Sequence, residues 1–269
     1  MTALKMLALA AAVALGAAMP ALAQSQAQAQ ASAQQKVRIA TEGADAPFNF
    51  AGPDGKLTGF DVEIAQALCA KAKLTCDIVA QDWDGIIPGL IAKKYDAIVA
   101  SMSMTDERRK RVDFTTKYYQ TPARFIAKKG AALKTDAEGL KGKTIGVQRA
   151  TIHAKYLEDN YGKVLKEVKQ YDTQENANLD LVAGRLDGVL ADSIALLEGF
   201  LKTPEGAPFE FVGPELTDRK WFGDGAGIAV RKGDKKLKDA LDKAIVAIRA
   251  DGTYKKINDK YFPFDIFGK

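Results

Sequence analysis

Leu90 to Ser101 reads LIAKKYDAIVAS, and Leu181 to Asp192 reads LVAGRLDGVLAD. Four of the twelve positions are identical and six are conservative exchanges. Each stretch runs from a helical segment through a turn into a Val/Ile/Leu strand, so the pair reads as one helix-turn-strand element used twice, with a chance match between two common βα patterns as the alternative. The repeat puts Ser101 and Asp192 at equivalent points, just past the carboxyl end of a strand in each half. In open α/β sheets that edge is where ligands bind. Two halves that each present such an edge enclose a cleft between them.

Outward from the repeat, short Val/Ile/Thr-rich runs alternate with amphipathic segments of helical length, which predicts an α/β architecture with mostly parallel strands. In the first half the strands are Val37 to Thr41, Asp77 to Ala80 and Asp96 to Ala100, and the helices Asp61 to Lys73 and Gly85 to Lys93. Asp61 is placed as a cap after Gly59, and Pro53-Asp54-Gly55 marks a turn. In the second half the strands are Thr144 to Val147, Glu167 to Tyr171 and Asp187 to Ala191, and the helices Ile152 to Tyr161 and Asn176 to Ala183.

The amino terminus carries a basic start (Lys5), an uncharged apolar run from Met6 to Met19 and the triplet Ala21-Leu22-Ala23. This pattern predicts a secretory signal peptide, residues 1–23, cleaved after Ala23. Its apolar run falls short of the roughly 20 residues that span a bilayer. Residues 24–35, QSQAQAQASAQQ, offer no large apolar side chain to bury and read as a flexible leader. The formal charge is +5, one unit of which, Lys5, leaves with the signal peptide. The densest basic run, Arg108-Arg109-Lys110-Arg111, is flanked by acids and has no interleaved aromatics, which argues against nucleic-acid binding. In an exported chain, Cys69 and Cys76 are expected to form a disulfide, with two buried free thiols as the alternative. No metal or cofactor is expected.

Several residues near the strand edges could carry chemistry. Thr105 is suited to cap a helix that opens with Asp106 and Glu107. An Arg on that helix could grip a carboxylate through its paired donors, although position alone does not separate Arg108 from Arg109 or Arg111. Glu42 and Asp45 follow the first strand; two acids there suit a cationic ligand, against a solvated loop as the competing reading. Trp83 could stack on a ligand side chain or belong to the core. His153 has no identifiable nucleophile beside it, so no Ser-His-acid set can be assembled. Paired carboxylates could still act as acid and base.

The stretch GFDVEIAQALC, Gly59 to Cys69, resembles the signature of the periplasmic solute-binding proteins that serve polar amino acid ABC transporters (family 3). The likeness continues through DAIVASMSMTDERR, GRLDGVLADS, FGDGAGIAVRKGD and RADGTYKKINDKYF, and is strongest to the lysine/arginine/ornithine-, histidine- and opine-binding branch, whose disulfide matches the spacing of Cys69 and Cys76. The resemblance implies a type II periplasmic binding protein fold. Lobe I would comprise residues 36–119 and 226–269, and lobe II residues 124–216, each a mixed, mostly parallel sheet flanked by helices. Two hinge strands, 120–123 and 217–225, would join them.

It implies further that Arg108 binds the ligand α-carboxylate with Ser103 and backbone N–H groups near Ile152, and that Asp192 receives the α-ammonium beside Ser101 and Ser103. Glu42 would meet a distal cation, and Trp83 would stack on the ligand side chain. The chain departs from the family at Asp45, often aromatic, at Ala150, often Gly, and at His153, usually Gln. The expected function is capture of a polar, cationic amino acid (arginine, ornithine, lysine, histidine) or an opine in the periplasm by a non-enzymatic monomer that delivers it to an inner-membrane ABC permease complex. A periplasmic dehydratase of the same fold, or a sensor that presents ligand to a receptor, are the competing expectations.

Overall fold

The computed structural model describes residues 36–268; the signal peptide and leader expectations lie outside them. The first half holds β1 (Lys36–Thr41), β2 (Ala44–Asp45), β3 (Asn49–Ala51), β4 (Leu57–Thr58), α1 (Phe60–Lys71), β5 (Thr75–Ala80), α2 (Trp83–Ile91), β6 (Ala97–Ile98), α3 (Asp106–Arg109) and β7 (Val112–Tyr119). The second holds β8 (Ala123–Lys128), β9 (Thr144–Gln148), α4 (Ile152–Tyr161), β10 (Glu167–Tyr171), α5 (Gln174–Val182), β11 (Gly188–Asp192), α6 (Ser193–Leu196), a π-helical turn (Leu197–Leu201) and β12 (Phe209–Leu216). The chain then returns through α7 (Arg219–Phe222) to β13 (Ala226–Arg231), α8 (Lys235–Ala250) and α9 (Thr253–Tyr261).

Two five-stranded sheets have the same plan. The first is ordered β5-β1-β6-β13-β7 and the second β10-β9-β11-β8-β12. In each, three parallel strands meet an antiparallel one at the fourth place. The repeated element supplies the middle strand of both. Equivalence extends to individual bonds: the Asp96 carboxylate accepts the Arg38 N–H at 2.9 Å, and the Asp187 carboxylate accepts the Thr144 N–H at 2.9 Å. The turn before each is the same left-handed helix end, at Lys93 (φ 62°) and Gly184 (φ 72°).

Each sheet is covered on both faces, as expected for mainly parallel strands. On the first sheet Val37 and Ile39 face the helices α1, α8 and α9, while Ala40 and Ile98 face α2. The period-two alternation along β1 sorts these side chains between the two faces. On α1, Phe60, Ile64 and Leu68 recur every four residues and are fully buried. The Cys69–Cys76 disulfide ties the end of α1 to β5.

Helix and strand limits fall within about two residues of the sequence reading, with three corrections. β6 spans only Ala97–Ile98 rather than reaching Ala100, because after the Val99 N–H bonds the Ala40 carbonyl the chain bends into a left-handed Ser101 (φ 53°). Asp61 does not cap α1; Gly59 holds the cap position and Asp61 is buried. The expected hinge strands are not strands: residues 120–122 have no regular structure, and 217–225 contain α7, begun by Asp218, whose side chain accepts the Lys220 N–H.

Candidate functional site

The carboxyl edges of both sheets open onto one cavity. All nine residues singled out in the sequence line it: Glu42, Asp45, Trp83, Ser101, Ser103 and Arg108 from the first sheet's side, and Ile152, His153 and Asp192 from the second's. The wall also includes Tyr119, Thr121, Gln148, Thr151, Gln174 and Phe222, none of which the sequence reading named. Gln148, the last residue of β9, is the counterpart of Glu42 after β1, each lying four residues beyond the N–H that the clamp aspartate accepts.

Behind the cavity, the carboxylate of Asp61 is a hub. Its Oδ2 accepts from Asn49 Nδ2 and Ser101 Oγ, both at 2.9 Å, and its Oδ1 accepts from Tyr118 Oη at 2.8 Å. Tyr118 in turn accepts the Ser101 N–H at 3.0 Å. Ser101 therefore spends its hydroxyl proton on Asp61 and presents lone pairs to the cavity, which makes it an acceptor there. Burial pushes Asp61 up to about 6 in spite of these three donors.

Arg108 sits in the single turn of α3, whose first N–H groups are satisfied when the Thr105 hydroxyl accepts the Arg108 N–H at 3.3 Å. Its guanidinium donates to the Ser103 carbonyl at 3.1 Å and lies 5.1 Å from the Trp83 ring centroid. These contacts aim it into the cavity, whereas Arg109 turns outward toward Asp224. Desolvation lowers Arg108 to about 10, so it stays cationic at neutral pH. The same burial, with the Arg108 charge beside it, pushes His153 down to about 3. His153 is thus a neutral wall, its ring 6.1 Å from that of Phe222.

On the second side, Thr151 caps α4 by accepting the Ala154 N–H at 3.1 Å. The first-turn N–H groups of Ile152 and His153 have no carbonyl one turn earlier within the helix, which makes this end suited to a carboxylate. Asp192 caps α6: its Oδ1 accepts from the Ile194 and Ala195 N–H groups at 2.8 and 3.1 Å, and its Oδ2 accepts from Thr121. That locks the carboxylate facing the cavity.

The two sides also bond directly. Gln148 Nε2 donates to Glu42 Oε1 at 2.5 Å and Trp83 Nε1 to the Ala150 carbonyl at 3.1 Å. Arg149 pairs with Asp84 at 2.8 Å and with Asp172 at 2.5 Å. Nearby, Gly199 packs against the Ala46 carbonyl so closely that an added Cβ would lie 2.5 Å from its oxygen. Charge in the cavity is polarised. Arg108 acts on His153, whereas Asp45 is raised well above the usual carboxyl range by burial and by Glu42, Asp192 and Asp61. Glu42 is pushed up to about 7 by burial, with Asp82 adding to the effect, and Asp192 is raised by burial.

Known proteins share this arrangement of chain. The chain is 53% identical over 232 residues to an L-arginine-binding protein of Pseudomonas aeruginosa, covering 86% of this chain and 90% of that one. It is 40% identical over 234 residues to the histidine-binding periplasmic protein of Escherichia coli K12, covering 87% and 90%. Its fold matches that of a Salmonella typhimurium periplasmic binding protein, solved to explain high arginine specificity, with a TM-score of 0.77, 32% identity and coverage of 85% and 99%. Residues 37–264 fit the family profile over nearly all of the described chain, and the protein belongs to the bacterial extracellular solute-binding proteins, family 3.

Proposed function

We propose that this protein is the periplasmic binding component of an amino acid ABC transporter and that it takes an amino acid with a cationic side chain, arginine foremost. The observation that carries the reading is the polarised cavity, in which one half-buried guanidinium, Arg108, is set apart from an acidic group of Glu42, Asp45 and Asp192. A zwitterion's carboxylate suits Arg108 and the start of α4. Its ammonium suits Asp192 and the acceptor face of Ser101, leaving Glu42 and Asp45 for a cationic side chain. The arginine- and histidine-binding relatives support the same class.

On this reading residues 36–119 with 226–269 form one lobe and 124–216 the other, hinged at 120–123 and 217–225. Ligand held by one lobe draws the other over it, because the closed form alone makes both sets of contacts. On this reading the protein binds its ligand without chemistry, which its similarity to arginine- and histidine-binding proteins supports. Arginine, lysine, ornithine, histidine, glutamine and opines should be titrated calorimetrically into refolded, ligand-free protein. Arginine is expected to bind, and Arg108→Ala to weaken it by about 3 kcal/mol or more. Absence of binding by any of them, or an unaffected Arg108→Ala variant, would reject the proposal.

A further inference from the structure

The cavity has a neighbour on its acidic side. A groove runs between α5 and the β2–β3 hairpin, and Asp45, Gln174 and Ala195 line both it and the cavity. The partition is therefore one methyl group and two polar side chains, with no bulky apolar residue between the two spaces. Helical period makes α5 one wall of the groove. Ala177 and Leu181 pack on the second sheet, which turns Gln174, Asn178 and Val182, at four-residue spacing, toward the groove with Glu175 and Leu179 beside them.

The ionisable side chains of the groove are Asp45, Glu175 and Glu205, and no lysine, arginine or histidine is among the described residues that line it. Leu179 and Val182 stay 53% and 42% exposed, so apolar surface is left uncovered on α5, and Phe50 of β3 lines the groove with them. Gln174 and Asn178, each only 9% exposed, bond one another through one amide end at 2.9 Å. Whichever amide donates, one acceptor and one donor group are left without a protein partner. Neither is sealed inside the protein, so both open on the groove. Buried amides with free ends call for polar atoms in that space. Resting on the cationic amino acid reading above, we propose that the groove is a second subsite of the ligand cavity, which takes the substituent of basic amino acids alkylated on their terminal side-chain nitrogen, such as Nω-alkyl-arginines. Alkylation keeps the positive charge, which stays at the junction beside Asp45 with the free amide acceptor for a guanidinium N–H. The tail lies on Phe50, Leu179 and Val182. Arg108 and Asp192 hold the α-carboxylate and α-ammonium on this reading, which leaves the side-chain end free to extend.

Calorimetric titration with arginine and with Nω-propyl-arginine tests the subsite. The propyl compound is expected to bind within about fivefold of arginine, whereas a cavity closed at that end would reject the added carbons by about tenfold or more. Val182→Trp, which fills the groove from the exposed face of α5, should weaken the propyl compound by about tenfold and arginine by less than about twofold. Leu179→Arg, an exposed substitution that brings its own cation to the groove, should have the same selective effect. A loss greater than about fivefold for the propyl compound on the parent protein, or variants that weaken both ligands equally or neither, overturns the subsite and leaves the arginine reading intact. Failure of arginine, lysine and ornithine to bind the parent protein overturns both.

Discussion

Glu42, Asp45, Asp61 and Asp192 all hold their protons more tightly than exposed carboxyls, and burial is the leading cause for each. In the unfolded chain these groups titrate near pH 4, so between about pH 4 and 7 the folded protein binds more protons than the unfolded one. Stability conferred this way is full below that window and is lost as pH rises through it, by on the order of 1–3 kcal/mol for each of Glu42 and Asp61. Carboxylates held low by surface cations, such as Asp251 beside Lys71, act only below about pH 4. Ligand-free protein should therefore melt higher at about pH 5 than at pH 7.5, the reverse of the usual carboxylate trend, and thermal scans across that range would show it. A rising melting temperature would contradict the burial of these acids. Glu42, Ser101 and Asp192 were legible in the sequence because a strand edge marks its own neighbours, whereas Arg108 was set apart from Arg109 and Arg111 only by the family resemblance. Asp61 was misread as a cap because its role depends on Tyr118, Asn49 and Ser101, partners that only the folded chain brings to it.

Elements were legible where local chemistry sets them. The threonine cap at Thr105 bonds as the sequence suggests, and α4 and β10 begin and end where the periodicity places them. The segment 217–225 was not legible as helix, because α7 is a single turn held by the Asp218 cap rather than by any sustained pattern. The repeated helix-turn-strand element offers a controlled comparison, since its left-handed position is Lys93 in one copy and Gly184 in the other. A side chain in that conformation is strained, whereas glycine is not. Lys93→Gly should raise stability by up to about 1 kcal/mol, and Gly184→Ala should lower it by about 1 kcal/mol, since nothing crowds a Cβ there. Urea midpoints of the two variants measure both signs. Equal and opposite shifts would show that the two copies differ at this turn in backbone strain alone.

For the molecule as a whole, the two sheets share a strand order, an aspartate clamp and a strand-edge chemistry, and the repeat read in twelve residues extends to both. What the sequence could not convey is how the halves meet. The bonds of Gln148 with Glu42, Trp83 with Ala150 and Arg149 with Asp84 each join residues far apart in the chain. Gly199 belongs with them for what it lacks. It sits in a helical turn that any residue can adopt, yet a single methyl there would meet the Ala46 carbonyl from the opposite side. Gly199→Ala should leave the folding of each half unchanged while weakening ligand binding at least tenfold, with a larger radius of gyration by small-angle scattering in the presence of ligand. One hydrogen atom's worth of clearance thus works as the seat of a valve. Filling it would turn the protein into a jammed gate, folded and ligand-facing but unable to shut, and so a reagent for asking which shape its membrane partner recognises.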